Sequence, residues 1–478
     1  MNDIVKQIPT QNFIGGEWVG EPALDVRNPA NGEVLATIAD ADVATAVSAL
    51  DAAVEAAPAW ADTDPRDRGE LLRRAFELII ERTDDFATLM TLEMGKPLAE
   101  ARGEVAYGAE FFRWYSEEAV RIHGRFGRAP SGQQRIITDK KPVGPVFAIT
   151  PWNFPLAMAT RKIGPALAAG CTVVVKPAAE TPLTTLLLME VLVEAGLPKG
   201  VVNVFTTSNS KETSAALIAD PRLRKLTFTG STPVGQALLR QSAQNVLRTS
   251  MELGGNAPFI VLKGADLDAA VEGALVAKMR NNGQACTAAN RFYVHADVAT
   301  EFERRLQDRL ENWKVGPGIE DGTQLGALIH DRAVDDIVGL VDDAVAHGAK
   351  LRLGGKRLEG PGSFLPPTIL TDVSTESRIA SEEIFGPVVA MQTFDSTDEV
   401  VQRANASNFG LMSYVFGEEG EALRVAERLE YGMVGINTGL VSNAAAPFGG
   451  LKQSGMGREG SYEGLEEYLE TKYYGMPL

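Results

Sequence analysis

The sequence predicts an α/β protein: a doubly wound parallel sheet followed by a second α/β domain. From residue 143 onward, short apolar runs alternate with helix-like segments, which is typical of parallel strands covered by helices on both faces. The chain has 478 residues, enough for about two to four domains. Its 45% hydrophobic and 23% charged fractions are ordinary for a globular protein.

The segments before residue 143 differ in character. Residues 40–120 are predicted to be mostly helical, because apolar side chains recur there at three- and four-residue spacing. Residues 124–142 are more polar and contain stretches of period 2, which predicts an arm or a hairpin. The last residues, EYLETKYYGMPL, have strand character and could pair with this arm or with another subunit.

The first sheet is predicted from residues 143–243. Strand and helix alternate through VGPVFAIT, MATRKIGPALAAG, TVVVKP, TPLTTLLLMEVLVEAG, VVNVFT, KETSAALIAD, KLTFTG and TPVGQALLRQSA. Gly170 ends the first of these helices, and Gly196 with Pro198 ends the second. A sheet of this kind binds ligands at the carboxyl ends of its strands.

A second α/β pattern follows Met251. NAPFIVL predicts a strand, DLDAAVEGALVAKMRNNG a helix, and RFYVH a further strand. Similar alternation continues to about Gly432, which indicates a second domain with its own sheet.

Charge and cysteine content exclude several classes of protein. The formal net charge is −17, so nucleic acid is not an expected partner. Two cysteines cannot form a disulfide framework, and they fit a reduced, cytoplasmic compartment. The N-terminus lacks the pattern of a signal peptide, and no apolar run approaches the roughly 20 residues of a membrane span. No metal site is predicted.

Cys286 is the candidate nucleophile. It lies in NNGQACTAANR, where Gly283 permits close approach of another group and small side chains leave room beside the sulfur. The alternative is a buried, inert thiol, which is the commoner fate of a lone cysteine. For Cys171, between a helix end and a buried strand, the inert interpretation is favoured.

Two polar residues follow strands at positions suited to catalysis. Glu252, in SMELGGNAP, would be partly desolvated at a strand end, which raises a carboxyl pKa toward that of a general base. Asn153, in ITPWNFP, lies between two prolines that pin the loop, so its amide could stabilise an oxyanion. The alternatives are a surface turn glutamate and an ordinary turn asparagine.

Two segments could bind phosphate. FTGSTPVG (228–235) follows a strand and opens a helix, so Gly230 and Ser231 would present donors at the helix N-terminus. GMGREG (455–460) matches G-x-G-x-x-G, but no strand precedes it and no βαβ unit surrounds it. It is interpreted as a structural turn.

Seven segments occur together and in a recognisable order. They are TPWNFP, KPAAETP, FTGSTPVG, MELGGNAP, GQACTAANR, EEIFGPV and PFGGLKQSGMGREG. The chain thereby resembles the aldehyde dehydrogenase superfamily over essentially its whole length. The resemblance implies that Cys286 is the nucleophile, Glu252 the base and Asn153 the oxyanion donor.

The resemblance also implies a domain plan. It places a dinucleotide-binding domain at 1–123 and 143–252, a catalytic domain at 253–460, and oligomerisation segments at 124–142 and 461–478. The family forms dimers and tetramers, so a homodimer or homotetramer is expected.

Within the superfamily, the chain looks most like succinate-semialdehyde dehydrogenases. Their substrate carboxylate is held by two arginines and a serine, which match Arg161, Arg280 and Ser442 here. Arginine can hold a carboxylate in two parallel hydrogen bonds. The alternative is that each arginine is a structural or ion-pair residue.

Cofactor contacts are implied in the same way. The matching positions are Thr150, Pro151, Trp152, Lys176, Ala179, Gly230, Ser231, Leu253, Glu383 and Phe385. Many members that prefer NAD carry a glutamate where this chain has Ala179. Without that carboxylate a 2′-phosphate is not repelled and Lys176 can pair with it, so NADP is the expected cofactor and NAD the alternative.

The implied reaction oxidises a small semialdehyde to a free acid through a thioester on Cys286. A glutarate-semialdehyde or broader aldehyde dehydrogenase is the main alternative. A cofactor-independent thiol esterase and a catalytically silent binding protein are further ones. Ala288 stands where some relatives carry a second cysteine, so no disulfide redox switch is expected.

Overall fold

The structure, a computed structural model, describes residues 4–478 and begins with two short hairpins that the sequence patterns did not predict. Their bounds are β1 Asn12–Ile14, β2 Glu17–Val19, β3 Pro22–Arg27 and β4 Val34–Ala39. β3 and β4 pair only with each other, whereas β1 and β2 extend one edge of the first large sheet.

Four helices follow, as predicted for residues 40–120. They are α1 Val43–Ala61, α2 Pro65–Glu81, α3 Thr83–Met94 and α4 Leu98–Glu118. The Asp42 side chain accepts from the Thr45 backbone N–H at 2.8 Å and so caps α1. α2, α3 and α4 share one apolar core with the helices and strands that come next, whereas most buried side chains of α1 belong to a second core.

The polar stretch predicted as an arm or hairpin forms two antiparallel strands. Their bounds are β5 Arg125–Arg128 and β6 Gln134–Pro142. Phe126 in β5 is 72% exposed, so this arm projects an apolar side chain into solvent.

The first large sheet has a parallel centre. Its elements are β7 Val146–Ile149, α5 Pro155–Ala169, β8 Val173–Lys176, α6 Leu183–Glu194, β9 Val202–Val204, α7 Ser210–Ala219, β10 Lys225–Thr229, α8 Thr232–Ser242 and β11 Arg248–Glu252. The strand order is β2-β1-β9-β8-β7-β10-β11, with an eighth strand from the C-terminal region beyond β11. β7, β8, β9 and β10 are buried throughout, as their nearly continuous apolar runs predict.

The second large sheet contains seven strands. Its region comprises β12 Ala257–Val261, α9 Leu267–Met279, β13 Ala289–His295, α10 Ala296–Leu310, α11 Asp331–Ala346, β14 Lys350–Leu353, β15 Thr368–Thr371, β16 Val388–Phe394, α12 Thr397–Asn405, β17 Phe409–Gly410, β18 Met412–Phe416, α13 Glu419–Ala426 and β19 Met433–Ile436. The order is β14-β15-β16-β13-β12-β18-β19, and every pair except β14 with β15 is parallel. The predicted α/β class is confirmed.

The C-terminal region returns to earlier parts of the chain. Its elements are β20 Leu451–Lys452, β21 Gly455–Met456, α14 Ser461–Glu466 and β22 Leu469–Pro477. β21 pairs with β11 and completes the first sheet, and β20 pairs with β17. β22 runs antiparallel to the whole of β6. The predicted pairing of the C-terminal strand with the arm therefore occurs within one chain.

One predicted helix ends early. The pattern DLDAAVEGALVAKMRNNG predicts helix through Gly283, but α9 ends at Met279. Asn281, Asn282 and Gly283 all have positive φ, at 57°, 58° and 73°. The prediction was wrong there because asparagine and glycine tolerate the left-handed conformation, and this leads the chain out of the helix.

The described residues contain neither a membrane-spanning helix nor a cluster of metal-ligating side chains. Within residues 4–478, no helix combines the length and the apolar character needed to cross a membrane. In the same range, His, Cys, Asp and Glu side chains do not gather in any group of three that could hold a metal ion.

Candidate active site

A cleft of about 240 Å³ lies beyond the carboxyl ends of β7, β10 and β11. It is lined by Pro151, Trp152, Asn153, Met158, Thr229, Gly230, Ser231, Glu252, Leu253, Gly254, Cys286, Glu383 and Phe385. All three predicted catalytic residues and seven of the ten predicted cofactor residues are in this set. Of the other three, Thr150 follows β7, Lys176 ends β8, and Ala179 lies just after β8.

Cys286 lies in the turn between α9 and β13, with its side chain partly exposed to the cleft. A Cβ on Gly255 would lie 2.5 Å from the Cys286 carbonyl oxygen, so this approach requires glycine. Burial, with the negative charges of Glu383 and Glu252, raises the pKa of the Cys286 thiol to about 12. The thiol therefore needs a proton acceptor to become a nucleophilic thiolate.

Glu252 is the last residue of β11 and is buried. Its Oε2 atom has no hydrogen-bond partner among the described residues. Burial, assisted by the charge of Glu459, raises the pKa of Glu252 well above its ordinary value. A carboxylate with a raised pKa accepts a proton more readily than an ordinary one, which suits a general base.

Asn153 lies in the loop between β7 and α5 and is buried. Its Nδ2 atom donates to the Gln284 carbonyl oxygen at 3.0 Å. Because Gln284 is two residues before Cys286, this bond ties the amide to the nucleophile's own loop. The second N–H of Nδ2 is not used by this bond, and Asn153 and Cys286 line the same cleft.

A buried ionic cluster lies behind Glu252. The Glu459 carboxylate pairs with Lys162, and its Oε2 atom lies 2.7 Å from Arg161 Nε. Arg161 packs over the Phe448 and Phe111 rings, at 4.1 and 5.2 Å from their centroids. Its Nη2 and Nε atoms are buried without a hydrogen-bond partner among the described residues, so the guanidinium keeps free donors.

A second cavity of about 210 Å³ adjoins the same loops. Its lining is Glu100, Gly103, Glu104, Tyr107, Phe154, Arg280, Asn281, Leu440 and Ser442. Phe154 directly follows Asn153, and Arg280 precedes Cys286 by six residues. The cavity therefore lies beside the cleft rather than at a separate place in the fold.

The predicted arginines differ in their surroundings. Arg280 and Ser442 line the second cavity together, whereas Arg161 lies in the ionic cluster. The Arg280 guanidinium lies 5.3 Å from the Phe154 centroid, and it forms no ion pair or side-chain hydrogen bond with the residues that the structure describes. Among the cavity's cationic and anionic groups, Glu104 is paired with Lys96 and Glu100 accepts from the Asn281 N–H. Arg280 is thus the cationic side chain in this lining, and it is open to an anionic ligand.

The residues around the cleft fit a nicotinamide dinucleotide. Ser231 precedes α8 and makes no capping hydrogen bond, so this helix N-terminus is open to a pyrophosphate. Glu383 accepts from the Gly255 N–H at 3.2 Å, and burial raises its pKa to about 7. Burial lowers the pKa of Lys176 to about 8, and its Nζ donates to the Pro177 carbonyl at 3.2 Å.

Sequence reasoning missed several residues that the structure brings to these sites. Met158 lines the cleft, Tyr107 lines the second cavity, and Lys162 and Glu459 form the ionic cluster. Glu459 lies within the segment that was interpreted as a structural turn. Its pairing with a lysine 297 residues away has no local signature.

Comparison with known proteins agrees with this geometry. The model of the aldehyde dehydrogenase family matches residues 18–474. The chain is 56% identical to a succinate-semialdehyde dehydrogenase of Paenarthrobacter nicotinovorans, over 93% of this chain and 99% of that protein. It is 50% identical to a glutarate-semialdehyde dehydrogenase of Pseudomonas putida, over 97% of each. A crystal structure of an E. coli NADP-dependent enzyme superposes with a TM-score of 0.97 at 46% identity, covering 99% of both chains.

Proposed function

Because the chain belongs to the aldehyde dehydrogenase family, we propose that it oxidises succinate semialdehyde to succinate with reduction of NADP or NAD. Asn153, Glu252 and Cys286, which line one cleft, are its catalytic residues in this proposal. The observation that carries the choice of substrate is the Arg280 guanidinium, which faces a cavity beside the nucleophile without an ionic partner among the described residues.

The substrate would span the two cavities. Arg280 and Ser442 bind its carboxylate, and Arg161 contributes the free Nη2 donor. The Arg161 guanidinium is already paired with Glu459. It therefore attracts the substrate carboxylate less strongly than Arg280 does. The aldehyde carbon then lies at Cys286.

In the first step, the Cys286 thiol releases its proton to solvent in the cleft. The thiolate sulfur then forms a bond to the aldehyde carbon and the C=O π bond opens. The Asn153 amide and the Cys286 backbone N–H donate to the resulting oxyanion. When bound, the nicotinamide ring supplies the oxidant, because it accepts a hydride from this carbon. The carbon remains bonded to sulfur as a thioester.

In the second step, Glu252 takes a proton from water. The hydroxide oxygen bonds to the thioester carbon, the C–S bond breaks and the sulfur leaves as thiolate. The raised pKa of Glu252 suits this task, since a carboxylate of higher pKa takes a proton from water more readily. The product is a free carboxylate.

Glutarate semialdehyde is the second candidate substrate. The 50% identical relative that bears that name favours it. One methylene changes preference only about 10–200-fold, and both substrates would present a carboxylate to Arg280.

NADP is our preferred cofactor. Lys176 is buried at the end of β8, Ala179 carries no charge, and Glu180 is exposed. The Lys176 ammonium can therefore meet a 2′-phosphate without a competing carboxylate at position 179.

Lys176→Met is expected to raise the KM for NADP by about 10–100-fold and the KM for NAD much less, since one charged hydrogen bond is lost. Steady-state kinetics with both cofactors measures this, with the exposed Lys199→Met as the control. Equal rises for both cofactors would mean that Lys176 contacts their shared ribose instead.

We also propose a dinucleotide-binding domain at 1–123 and 143–252, a catalytic domain at 253–460, and oligomerisation segments at 124–142 and 461–478. The protein forms a homodimer or homotetramer through β5, β6 and β22 in this proposal. The exposed apolar side chains of Phe126, Tyr473 and Met476 on this three-stranded arm support a subunit contact.

The substrate proposal is tested by comparing succinate semialdehyde with butyraldehyde, each with NAD and with NADP. Butyraldehyde has the same chain length but no carboxylate. Succinate semialdehyde is expected to have a kcat/KM about 10²–10³-fold higher, which is the range for a desolvated charge pair. Similar kcat/KM values for the two aldehydes would contradict the proposed binding of a substrate carboxylate by Arg280. They would still agree with an aldehyde dehydrogenase.

A further inference from the structure

Three consecutive residues before the nucleophile have left-handed backbone. Asn281, Asn282 and Gly283 have φ of 57°, 58° and 73°. A Cβ on Gly283 would lie 2.3 Å from the Gly386 carbonyl, so that position requires glycine. This conformation costs most residues about 1–2 kcal/mol, and asparagine adopts it more readily when its side chain forms local hydrogen bonds.

Asn282 holds the outer side of this turn. Its Oδ1 accepts from the Gly326 N–H at 2.8 Å, and its Nδ2 donates to the Ala327 carbonyl at 2.9 Å. Both partners belong to the loop before α11. Asn282 therefore anchors the turn to the second domain without touching the cleft residues.

Asn281 holds the inner side. Its Nδ2 donates to the Asn153 carbonyl at 2.9 Å and to the Gln284 carbonyl at 2.9 Å. The Gln284 carbonyl also accepts from Asn153 Nδ2. One buried amide thus bridges the loop of the oxyanion donor and the loop of the nucleophile, which are 128 residues apart in sequence.

We propose that Asn281 is a positioning residue that sets the Asn153 amide against Cys286 and fixes the spacing between Cys286 and Arg280. The proposal rests on the function proposed above. In this proposal Asn281 touches no reacting atom. It acts by holding the loop of Asn153 and the loop of Cys286 in a fixed relative position.

The geometry explains why this contact matters for rate. One N–H of Asn153 Nδ2 is used by Gln284, so the direction of the other depends on how that carbonyl is held. Arg280 and Cys286 lie on opposite sides of the left-handed turn and line different cavities. A shift in the turn therefore moves the carboxylate anchor and the nucleophile relative to each other.

Asn281→Gly and Asn282→Gly form a matched pair for the test. Both keep the left-handed backbone accessible, and both remove a side chain with two backbone contacts. Asn281→Gly is expected to lower kcat for succinate semialdehyde and butyraldehyde by about 10–100-fold, the cost of a small misplacement. It should also reduce the preference for succinate semialdehyde while leaving the KM for NADP unchanged. Asn282→Gly is expected to lower thermal stability and to keep more of kcat than Asn281→Gly does, because the bonds from Asn281 to the Asn153 and Gln284 carbonyls remain.

A second variant covers the case in which Asn281→Gly does not fold. Asn281→Asp keeps the shape but replaces the donor with a carboxylate, which regains one donor when protonated. Its kcat relative to wild type is expected to rise as the pH falls. The proposal is overturned if Asn281→Gly keeps kcat within about twofold, if both glycine variants lose kcat equally, or if the aspartate ratio is independent of pH. Failure of the proposed function would appear separately, as wild-type enzyme without a preference between the two aldehydes.

Discussion

Glu252→Gln is expected to reduce one equivalent of cofactor per active site quickly and then almost to stop. The first turnover forms the thioester and reduces one equivalent of cofactor per site. The next requires hydrolysis, and loss of the base slows that step by about 10²–10⁴-fold. A stopped-flow trace at 340 nm would show a burst equal to the enzyme concentration.

The burst itself should survive the substitution. The charge of Glu252 is one cause of the raised pKa of Cys286, so a neutral glutamine makes the thiolate easier to form. Cys286→Ala is the control, and it should give no burst. Slow, linear turnover from the start in Glu252→Gln would contradict this prediction. It would mean that Glu252 removes the proton from the Cys286 thiol before the first bond forms.

The wild-type pH profile follows from the same residue. Glu252 acts as a base only when it is ionised, and its pKa is raised in the folded enzyme. The rate of thioester hydrolysis is therefore at its maximum above the raised pKa of Glu252, and it declines as the pH falls through that pKa. In Glu252→Gln, this limb of the profile should be absent.

Arg280→Met is expected to lower kcat/KM for succinate semialdehyde by about 10²–10³-fold, because the substrate carboxylate loses its unpaired cation. Methionine keeps much of the side-chain length without the charge. The value for butyraldehyde should change little, so the ratio of the two aldehydes is the decisive measurement. The exposed Arg332→Met serves as a surface control.

Arg280 is a better probe of the carboxylate site than Arg161. Removing the Arg161 charge would also take a partner from the buried Glu459, and breaking a buried ion pair commonly costs about 3–5 kcal/mol of stability. Loss of activity in an Arg161 variant would mix two causes. An unchanged aldehyde ratio in Arg280→Met would contradict the proposed carboxylate contact.

Much of the first sheet could be predicted because its signals are local. Runs such as TVVVKP are apolar throughout, and a strand buried on both faces needs nothing else to be recognised. Cys286, Glu252 and Asn153 could be named from the order of their motifs. Asn153 and Glu252 meet because β7 and β11 end at the same edge of the first sheet, whereas Cys286 reaches the cleft from the turn before β13 of the second sheet.

Other features depend on contacts that no local pattern contains. The ring of Tyr107 lies on α4 among ordinary helical residues, yet it lines the cavity of Arg280. The end of α9 was predicted four residues too late because Asn281 and Asn282 take up left-handed backbone through bonds to distant carbonyls. Glu459 meets Lys162 only after the chain has built both sheets.

The C-terminal segment pairs with earlier parts of the chain, and this has a consequence for truncated forms of the gene. β21 and Glu459 lie in the last 24 residues. β21 covers the edge of β11, and Glu459 pairs with Arg161 and Lys162. A premature stop codon shortly before residue 455 would spare Cys286 and Glu252. It would still leave β11 with an open edge and two cations buried without their acid. Reading frames truncated this close to the end should therefore encode an unstable polypeptide that is removed by proteolysis.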